Sequence, residues 1–488
     1  MYVIVLSEFI MKNKTSNNLL VNKPVSQKKF PIATLSLALM SVGYITSCSN
    51  VDSNAVNNAA SQKVANSVVQ PDNGATRNIN FLAFGDGGYH VDYPKEKHIK
   101  YPKNKEQFIE AEKADWVEDY RPMSEFDHAP IYVYPNTDIA TEQGGAQAVG
   151  LAMTEVCREK VCEFALQLGD NIYPDGAGAD DGKDDQTRMD DLILAPIKPL
   201  IAENPDIMVY SALGNHDWKS SRHGVALQTE WMAKQKNFTL GEQGYYKYTI
   251  GEPGNDVEFF VLDTNMLLSG QVFHEVPLNK DGSEGDLPQA LKDGSAELEQ
   301  PEAHELPIQD EDEKQLAWLA DGLEKSKAKW KIVYGHHILW SIGGTKYSEG
   351  HVLRKLLLPS LCEYADAYVA GHEHDLELLT DDCSLYPNSL DKADDNANLL
   401  AKKRAPFPLI ISGAAAKMRG KHTPFAEQQE KRYPQYELLW SQSFVWGFAH
   451  IELDNTNDLL NVEFYTTPRD GSGKAELAAE FSFEKRTD

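Results

Sequence analysis

Residues 164–173 read Phe164-Ala165-Leu166-Gln167-Leu168-Gly169-Asp170-Asn171-Ile172-Tyr173. The first five are apolar but for Gln167, the length and character of a strand covered on both faces and too short for a helix. Gly169 stops the strand, and a carboxylate, an amide and a phenol follow within four positions. Such a loop sets metal-capable oxygens at the carboxyl end of a strand, where open α/β sheets bind their ligands.

The same grammar recurs along the chain. Residues 79–84 end in Gly85-Asp86-Gly87-Gly88, and 207–213 end in Gly214-Asn215-His216-Asp217. Residues 332–334 end in Gly335-His336-His337, and 367–370 end in Gly371-His372-Glu373-His374. Helical periodicity lies between them at 147–158, 189–201 and 312–323, the last with Leu316, Leu319 and Leu323 on one face. Strands alternating with helices predict an α/β sheet whose strand-end loops converge. A lone Gly-Asp is usually a turn. A His-x-His pair puts both rings on one side of an extended chain, which suits a metal but also occurs without one. The argument rests on five such blocks in order, each offering oxygen or imidazole donors.

Three stretches break the pattern and read as surface insertions: 89–137, rich in Tyr, Lys and Glu; 269–311, strongly acidic; and 381–403, polar. Lys+Arg 47 against Asp+Glu 74 gives a net charge of −27, which argues against nucleic acid as a partner. The same charge opposes a phosphate ester unless a local positive centre exists.

Residues 1–48 read as a lipoprotein-type signal peptide. Lys28 and Lys29 precede an apolar run over 30–45, and Ile45-Thr46-Ser47-Cys48 resembles a bacterial lipobox, which makes Cys48 the lipidated residue. Ser49 after it favours the outer membrane. The expected location is therefore exported: outer-membrane anchored, periplasmic or at the cell surface, with the membrane engaged only through Cys48. Residues 49–78, rich in Asn, Ser and Ala, form a flexible tether, and 79–488 form the folded domain. Cys157, Cys162, Cys362 and Cys383 remain; an even count in an exported chain suggests disulfides, nearest pairs 157–162 and 362–383. A zinc knuckle fits poorly, because neither pair has the two-residue spacing.

With these blocks assembled, the chain resembles the purple acid phosphatases, nearest the tartrate-resistant branch, within the binuclear metallophosphoesterases. The likeness rests on Phe84-Gly85-Asp86-Gly87-Gly88, Gly169-Asp170-Asn171-Ile172-Tyr173, Gly214-Asn215-His216-Asp217, Tyr334-Gly335-His336-His337 and Gly371-His372-Glu373-His374. Weaker likenesses occur at Val261-Leu262-Asp263-Thr264 and Ile411-Ser412-Gly413-Ala414, and the whole spans about 79–485. The resemblance implies a four-layer αββα sandwich with two mixed sheets. It assigns iron(III) to Asp86, Asp170, Tyr173 and His374, and a divalent iron, zinc or manganese to Asp170, Asn215, His336 and His372, with Asp170 bridging. Hard carboxylate and phenolate suit the trivalent ion, and amide and imidazole suit the divalent one. The two cations outweigh two carboxylates, a phenolate and a bridging hydroxide by about one unit of charge, the positive centre that the acidic surface lacks.

The implied reaction is hydrolysis of a small phosphate monoester by a metal-bound hydroxide. His216 is the expected proton donor to the leaving oxygen and His337 a second substrate contact. A phosphodiesterase or nucleotidase of the same superfamily is the alternative, and Tyr173 discriminates against it. A non-catalytic surface lipoprotein binding phosphate or metal is another. Two departures concern substrate preference: no tryptophan follows Asp86, and Trp218 stands where the branch often has a histidine. The 89–137 insertion follows Asp86 closely and reads either as a lid or as surface decoration.

Overall fold

The computed structural model describes residues 77–487, apart from stretches between 270 and 309, residue 345 and residues 385–403. The expected signal peptide, nearly all of the tether, and parts of the 269–311 and 381–403 insertions lie outside the described residues.

Two seven-stranded sheets stand at the centre. The first runs, in spatial order, Glu476–Glu484, Leu459–Thr467, Trp446–Asp454, Ile79–Phe84, Phe164–Leu168, Met208–Ala212 and Phe238–Thr239. Its last four strands are mutually parallel, and the first three join as antiparallel neighbours. The second sheet runs Tyr436–Gln442, Leu376–Asp381, Phe407–Ser412, Ala367–Ala370, Trp330–Tyr334, Val257–Val261 and Tyr246–Ile250. Its parallel strands are 407–412, 367–370, 330–334 and 257–261, flanked by antiparallel partners. Both sheets are mixed.

Continuous apolar strands follow from being covered twice. Phe81, Leu166 and Tyr210 of the first sheet meet Phe259, Ile332, Val369 and Ile410 of the second in one buried cluster. The rings of Phe81 and Phe164 stack at 4.9 Å, and Phe259 stands edge-on to both at 5.4 Å, locking the sheets in register. The outer face of the first sheet, through Leu82, Ala165 and Val209, packs on helices Ala146–Lys160 and Arg222–Lys234. That of the second, through Phe260, Val333 and Tyr368, packs on Asp310–Lys325 and Tyr347–Tyr364. The layers run helix, sheet, sheet, helix, as expected.

Two of the three expected helices form close to their expected bounds. In Ala146–Lys160 the buried Val149, Ala152, Met153 and Val156 recur at three- and four-residue spacing, a single apolar face. The expected helix over 189–201 is instead broken. The chain widens at Asp190–Leu194, tightens at Ala195–Ile197 and returns to an α-helix at Lys198–Glu203. Pro196 and Pro199 lack the amide hydrogens a regular helix needs there.

The 89–137 insertion is ordered. Asn104 and Gln107 cap helix Lys105–Glu118 reciprocally. Trp116 is buried beside Phe444 with ring centres 5.8 Å apart, and Arg121 donates to the carbonyls of Gly343 (3.0 Å) and Gly420. The insertion is thus stapled to the loops after the second sheet's strands. Disulfides join Cys157 to Cys162 and Cys362 to Cys383, the pairing expected from spacing. Among the described residues no helix is long and apolar enough to cross a membrane.

Candidate metal centre

The carboxyl ends of the parallel strands of both sheets open at one edge. Gly85 N–H donates to the Ser412 carbonyl across the sheets at 2.8 Å, and Asp86 N–H to Gly169 at 3.1 Å. His336 Nδ1–H donates to the Leu168 carbonyl at 2.8 Å. Loops this close need glycine. A Cβ on Gly169, whose φ is +86°, would lie 2.8 Å from His336 Nδ1, and one on Gly371 would lie 2.7 Å from Asp86 Oδ2.

The residues on these loops are held in an unusual backbone state. Asp86, Asp170, His372 and His374 all have positive φ, at 59°, 53°, 72° and 26°. That region costs a side-chain-bearing residue about 1–2 kcal/mol. Its concentration at four converging polar residues marks a place where geometry is specified at the expense of stability.

Two groups of donors result. In the first, the Tyr173 hydroxyl lies 2.6 Å from Asp170 Oδ2, 3.0 Å from Asp86 Oδ1 and 3.0 Å from His374 Nε2, all of them buried. His374 Nε2 is 3.2 Å from Asp86 Oδ1. In the second, His336 Nε2 lies 3.0 Å from His372 Nδ1, 3.1 Å from Asn215 Oδ1 and 3.4 Å from Asp170 Oδ1. Asp170 therefore presents one oxygen to each group. The structure brings together all seven expected ligands: Asp86, Asp170, Tyr173, Asn215, His336, His372 and His374.

The donor set tests whether a cation fits. His336 gives its Nδ1 proton to Leu168, and His372 gives its Nε2 proton to Glu349 at 2.7 Å. With those two protons so engaged, the nitrogens facing each other at 3.0 Å are the ones left to ligate, with the Asn215 carbonyl oxygen alongside. Three electron-rich atoms aimed at one point suit a cation. Burial, then Lys346 and His336, holds His372 well below the usual imidazole range, and burial, then Arg419 and Lys417, does the same for His374. Both rings are neutral, the form that ligates.

The carboxylates divide. Burial, helped by the charge of Asp170, pushes the Asp86 pKa well above the ordinary range. Burial acts on Asp170 in the same sense, but His336, His216 and the Tyr173 hydroxyl outweigh it, and its pKa ends below the ordinary value. Burial and these two carboxylates push the Tyr173 pKa well above its usual value. A cation between them reverses that balance by favouring every anionic form.

The two expected catalytic histidines part company. His216 is half-buried, its ring 4.1 Å from Tyr173; its N–H donates to Asp170 Oδ1 at 2.8 Å and its Nδ1 meets the Pro174 carbonyl. His337 is 1 % exposed, with Nδ1 2.7 Å from Thr264 Oγ1 and its ring 4.4 Å from His372. It supports His372 and presents no open face for the substrate contact expected of it.

Several supporting groups escaped the sequence reading. Glu349, in the first turn of helix Tyr347–Tyr364, orients His372. Asp217 accepts from the amides of Gly214 and Asn171 and from Asn171 Nδ2, tying two site loops together. Glu373 is fully buried and paired with Arg419 at 3.2 Å. The loop between strands Ala367–Ala370 and Leu376–Asp381 turns Glu373 into the interior, where a buried carboxylate demands a cation. Trp218 donates its indole N–H to Asp263 at 3.0 Å, so the departure at that position is structural. Cys362, Cys383 and Asp381 also lie within metal-ligand range, but the disulfide occupies both sulfurs.

The calcineurin-like phosphoesterase family profile matches residues 128–376, half of the chain. The chain belongs to that family. Asp86 lies ahead of the match, so its place at the centre comes from the fold. Among similar family members, tartrate-resistant acid phosphatase type 5 of Oryctolagus cuniculus is 27% identical over 245 residues, 50% of this chain and 63% of its own. Purple acid phosphatase 17 of Arabidopsis thaliana is 25% identical over 230 residues, 46% of this chain and 55% of its own. The chain spans less than two thirds of the length of these curated relatives. Purple acid phosphatase PPD1 from yellow lupin superposes with a TM-score of 0.42 at 14% identity, covering 84% of this chain and 55% of that one.

Proposed function

We propose that this member of the family hydrolyses small phosphate monoesters at a two-metal centre. Iron(III) is held by Asp86, Asp170, Tyr173 and His374, and a divalent iron, zinc or manganese by Asp170, Asn215, His336 and His372. The observation that carries the reading is the Tyr173 hydroxyl, buried within 3.0 Å of two carboxylates and an imidazole. A phenol is a poor ligand for most divalent ions and a good one for a hard trivalent ion. The acid phosphatases among its relatives support the reaction class.

Bound cations would neutralise the phosphoryl group and bring the pKa of a coordinated water down to about 7 or below. The chain's own residues supply the rest. The Pro174 carbonyl accepts the Nδ1–H of His216, so the proton passed to the leaving oxygen comes from Nε2 of the protonated, imidazolium form, which leaves the ring neutral after transfer. Asp217 fixes the loop that carries Asn215 and His216. The acidic surface keeps bulk anions away, so productive binding depends on the centre itself.

The reading extends to location: an exported protein anchored through Cys48, in a compartment where two disulfides persist. Release of Cys48→Ala from the membrane fraction tests the anchor. Metal analysis and an optical spectrum on one purified sample test the centre. Iron with a visible charge-transfer band that Tyr173→Phe abolishes is expected; a colourless, fully metallated wild type refutes the iron–tyrosinate assignment. Release of nitrophenol from para-nitrophenyl phosphate between about pH 4 and about pH 9 tests the reaction.

A further inference from the structure

We infer that Arg188 is a positioning residue for Tyr173 and His216 together, so that one buried guanidinium aims both a ligand and the proton donor of the centre. The inference rests on the proton-transfer role proposed for His216 and adds the residue that orients it.

The loop 173–176 carries four carbonyls, and each accepts a hydrogen bond. Arg188 Nη2 donates to the Tyr173 carbonyl at 3.3 Å and to that of Asp175, and Nη1 donates to that of Gly176 at 3.3 Å. The fourth, of Pro174, accepts the Nδ1–H of His216. One side chain thus fixes the peptides on either side of the carbonyl that orients the imidazole. A planar guanidinium, with five N–H donors in a fixed fork, can spread over three acceptors in this way, whereas an ammonium gathers its donors at one point.

The arginine is itself held. It is buried in the short helix Asp185–Met189, with Nη1 3.7 Å from Asp185 Oδ1 and its guanidinium carbon 5.9 Å from the Tyr93 ring centre. Tyr93 belongs to the insertion that follows Asp86, and its hydroxyl donates to Asp191 at 2.7 Å. A buried cation is costly unless its donors are engaged, and here the loop backbone engages them. The loop has no slack on its other sides. A Cβ on Gly176 would lie 2.1 Å from the Asp217 carbonyl oxygen, and the Tyr173 ring lies 4.1 Å from that of His216. The Tyr173 amide donates to the Gly88 carbonyl at 2.9 Å, on the loop of Asp86. A shift of 173–176 therefore moves the phenol against its carboxylates and the imidazole against the leaving oxygen at once.

The test replaces Arg188 by lysine, which keeps the charge and loses the fork, in the metal-loaded full chain. A misplacement of about 1 Å can cost about 10²-fold, so kcat on an alkyl phosphate should fall by that order. The loss on para-nitrophenyl phosphate, whose leaving group needs no proton, should be about tenfold smaller. In a His216→Ala background the same substitution should leave the alkyl-to-aryl ratio unchanged, because its effect runs through that ring. The visible band should move off its wild-type wavelength in Arg188→Lys, with metal content and circular dichroism unchanged. Equal losses on the two esters, a ratio that still changes without His216, or an unmoved band overturns the inference. If Arg188→Lys does not fold, Asp185→Asn, which removes the carboxylate beside Arg188, should give the same ester-selective loss in smaller measure; a loss without selectivity overturns the inference. A colourless wild type refutes the iron–tyrosinate reading alone, and the ester ratio still decides Arg188. If wild type hydrolyses neither ester, the phosphatase reading fails by itself, and a crystal structure of the variant decides the positioning: His216 withdrawn from the Pro174 carbonyl supports it, and an unmoved loop overturns it.

Discussion

The Nε2–H of His372 donates to Glu349 Oε2 at 2.7 Å, with both groups buried. This bond fixes which nitrogen of His372 carries the proton and turns Nδ1 toward His336 and Asn215. Carboxylates behind a ligating histidine typically change metal affinity by about 10–100-fold. Glu349→Gln, which keeps an acceptor, should weaken retention toward the lower figure and Glu349→Ala toward the upper. Metal content after titration with a competing chelator measures both. Full retention in the alanine variant would remove Glu349 from the centre.

Asp170 faces both donor groups, with Oδ2 at Tyr173 and Oδ1 toward His336, whereas Asp86 faces only the first. Asp170→Asn should deplete both metals, and Asp86→Asn chiefly one. Two full metal equivalents in purified Asp170→Asn would contradict the bridging role.

His216 is half-buried and is the proton carrier proposed above. Loss of a positioned general acid typically costs about 10²–10⁴-fold. His216→Ala should lower kcat by that order on an alkyl phosphate and by much less on para-nitrophenyl phosphate, whose leaving group needs no proton. Equal losses on the two esters would assign His216 to binding instead.

Asp263 lies away from the ligands and accepts from the Trp218 indole and the Met266 amide. Burial raises its pKa to about 7, against the opposing pull of those bonds. The folded form therefore holds this proton more tightly than the unfolded chain, whose Asp titrates near about 3.9. Its contribution to stability is complete below the unfolded value and is lost as pH rises through about 7. The thermal midpoint of Asp263→Asn should depend less on pH between about 5 and about 8 than that of wild type. Identical slopes would show that Asp263 does not titrate in this window.

Much of this was legible because strand, glycine and donor are adjacent in sequence. Gly169-Asp170 and Gly371-His372 announce both the end of a strand and the chemistry that follows. The broken stretch at 190–197 shows the limit: apolar spacing suited a helix, and two prolines decided otherwise. Glu349 was illegible because only the fold brings an ordinary helix glutamate against His372. His337 looked like a site residue by adjacency to His336; its ring does lie 5.0 Å from that of His336 and 4.4 Å from that of His372, but it is buried there against Thr264, a packing that only the fold decides.

Neither sheet owns the centre. Asp86, Asp170, Tyr173 and Asn215 follow strands of one, and His336, His372 and His374 follow strands of the other. A half-folded molecule thus offers a cation at most three of its four partners, so full-strength binding must wait until the two layers have closed. Once seated, each proposed ion would act as a rivet through the seam: it would weld together halves that the polypeptide joins through residues 240–245 and 443–445, and pulling it out should be felt by the entire sandwich as well as by the chemistry.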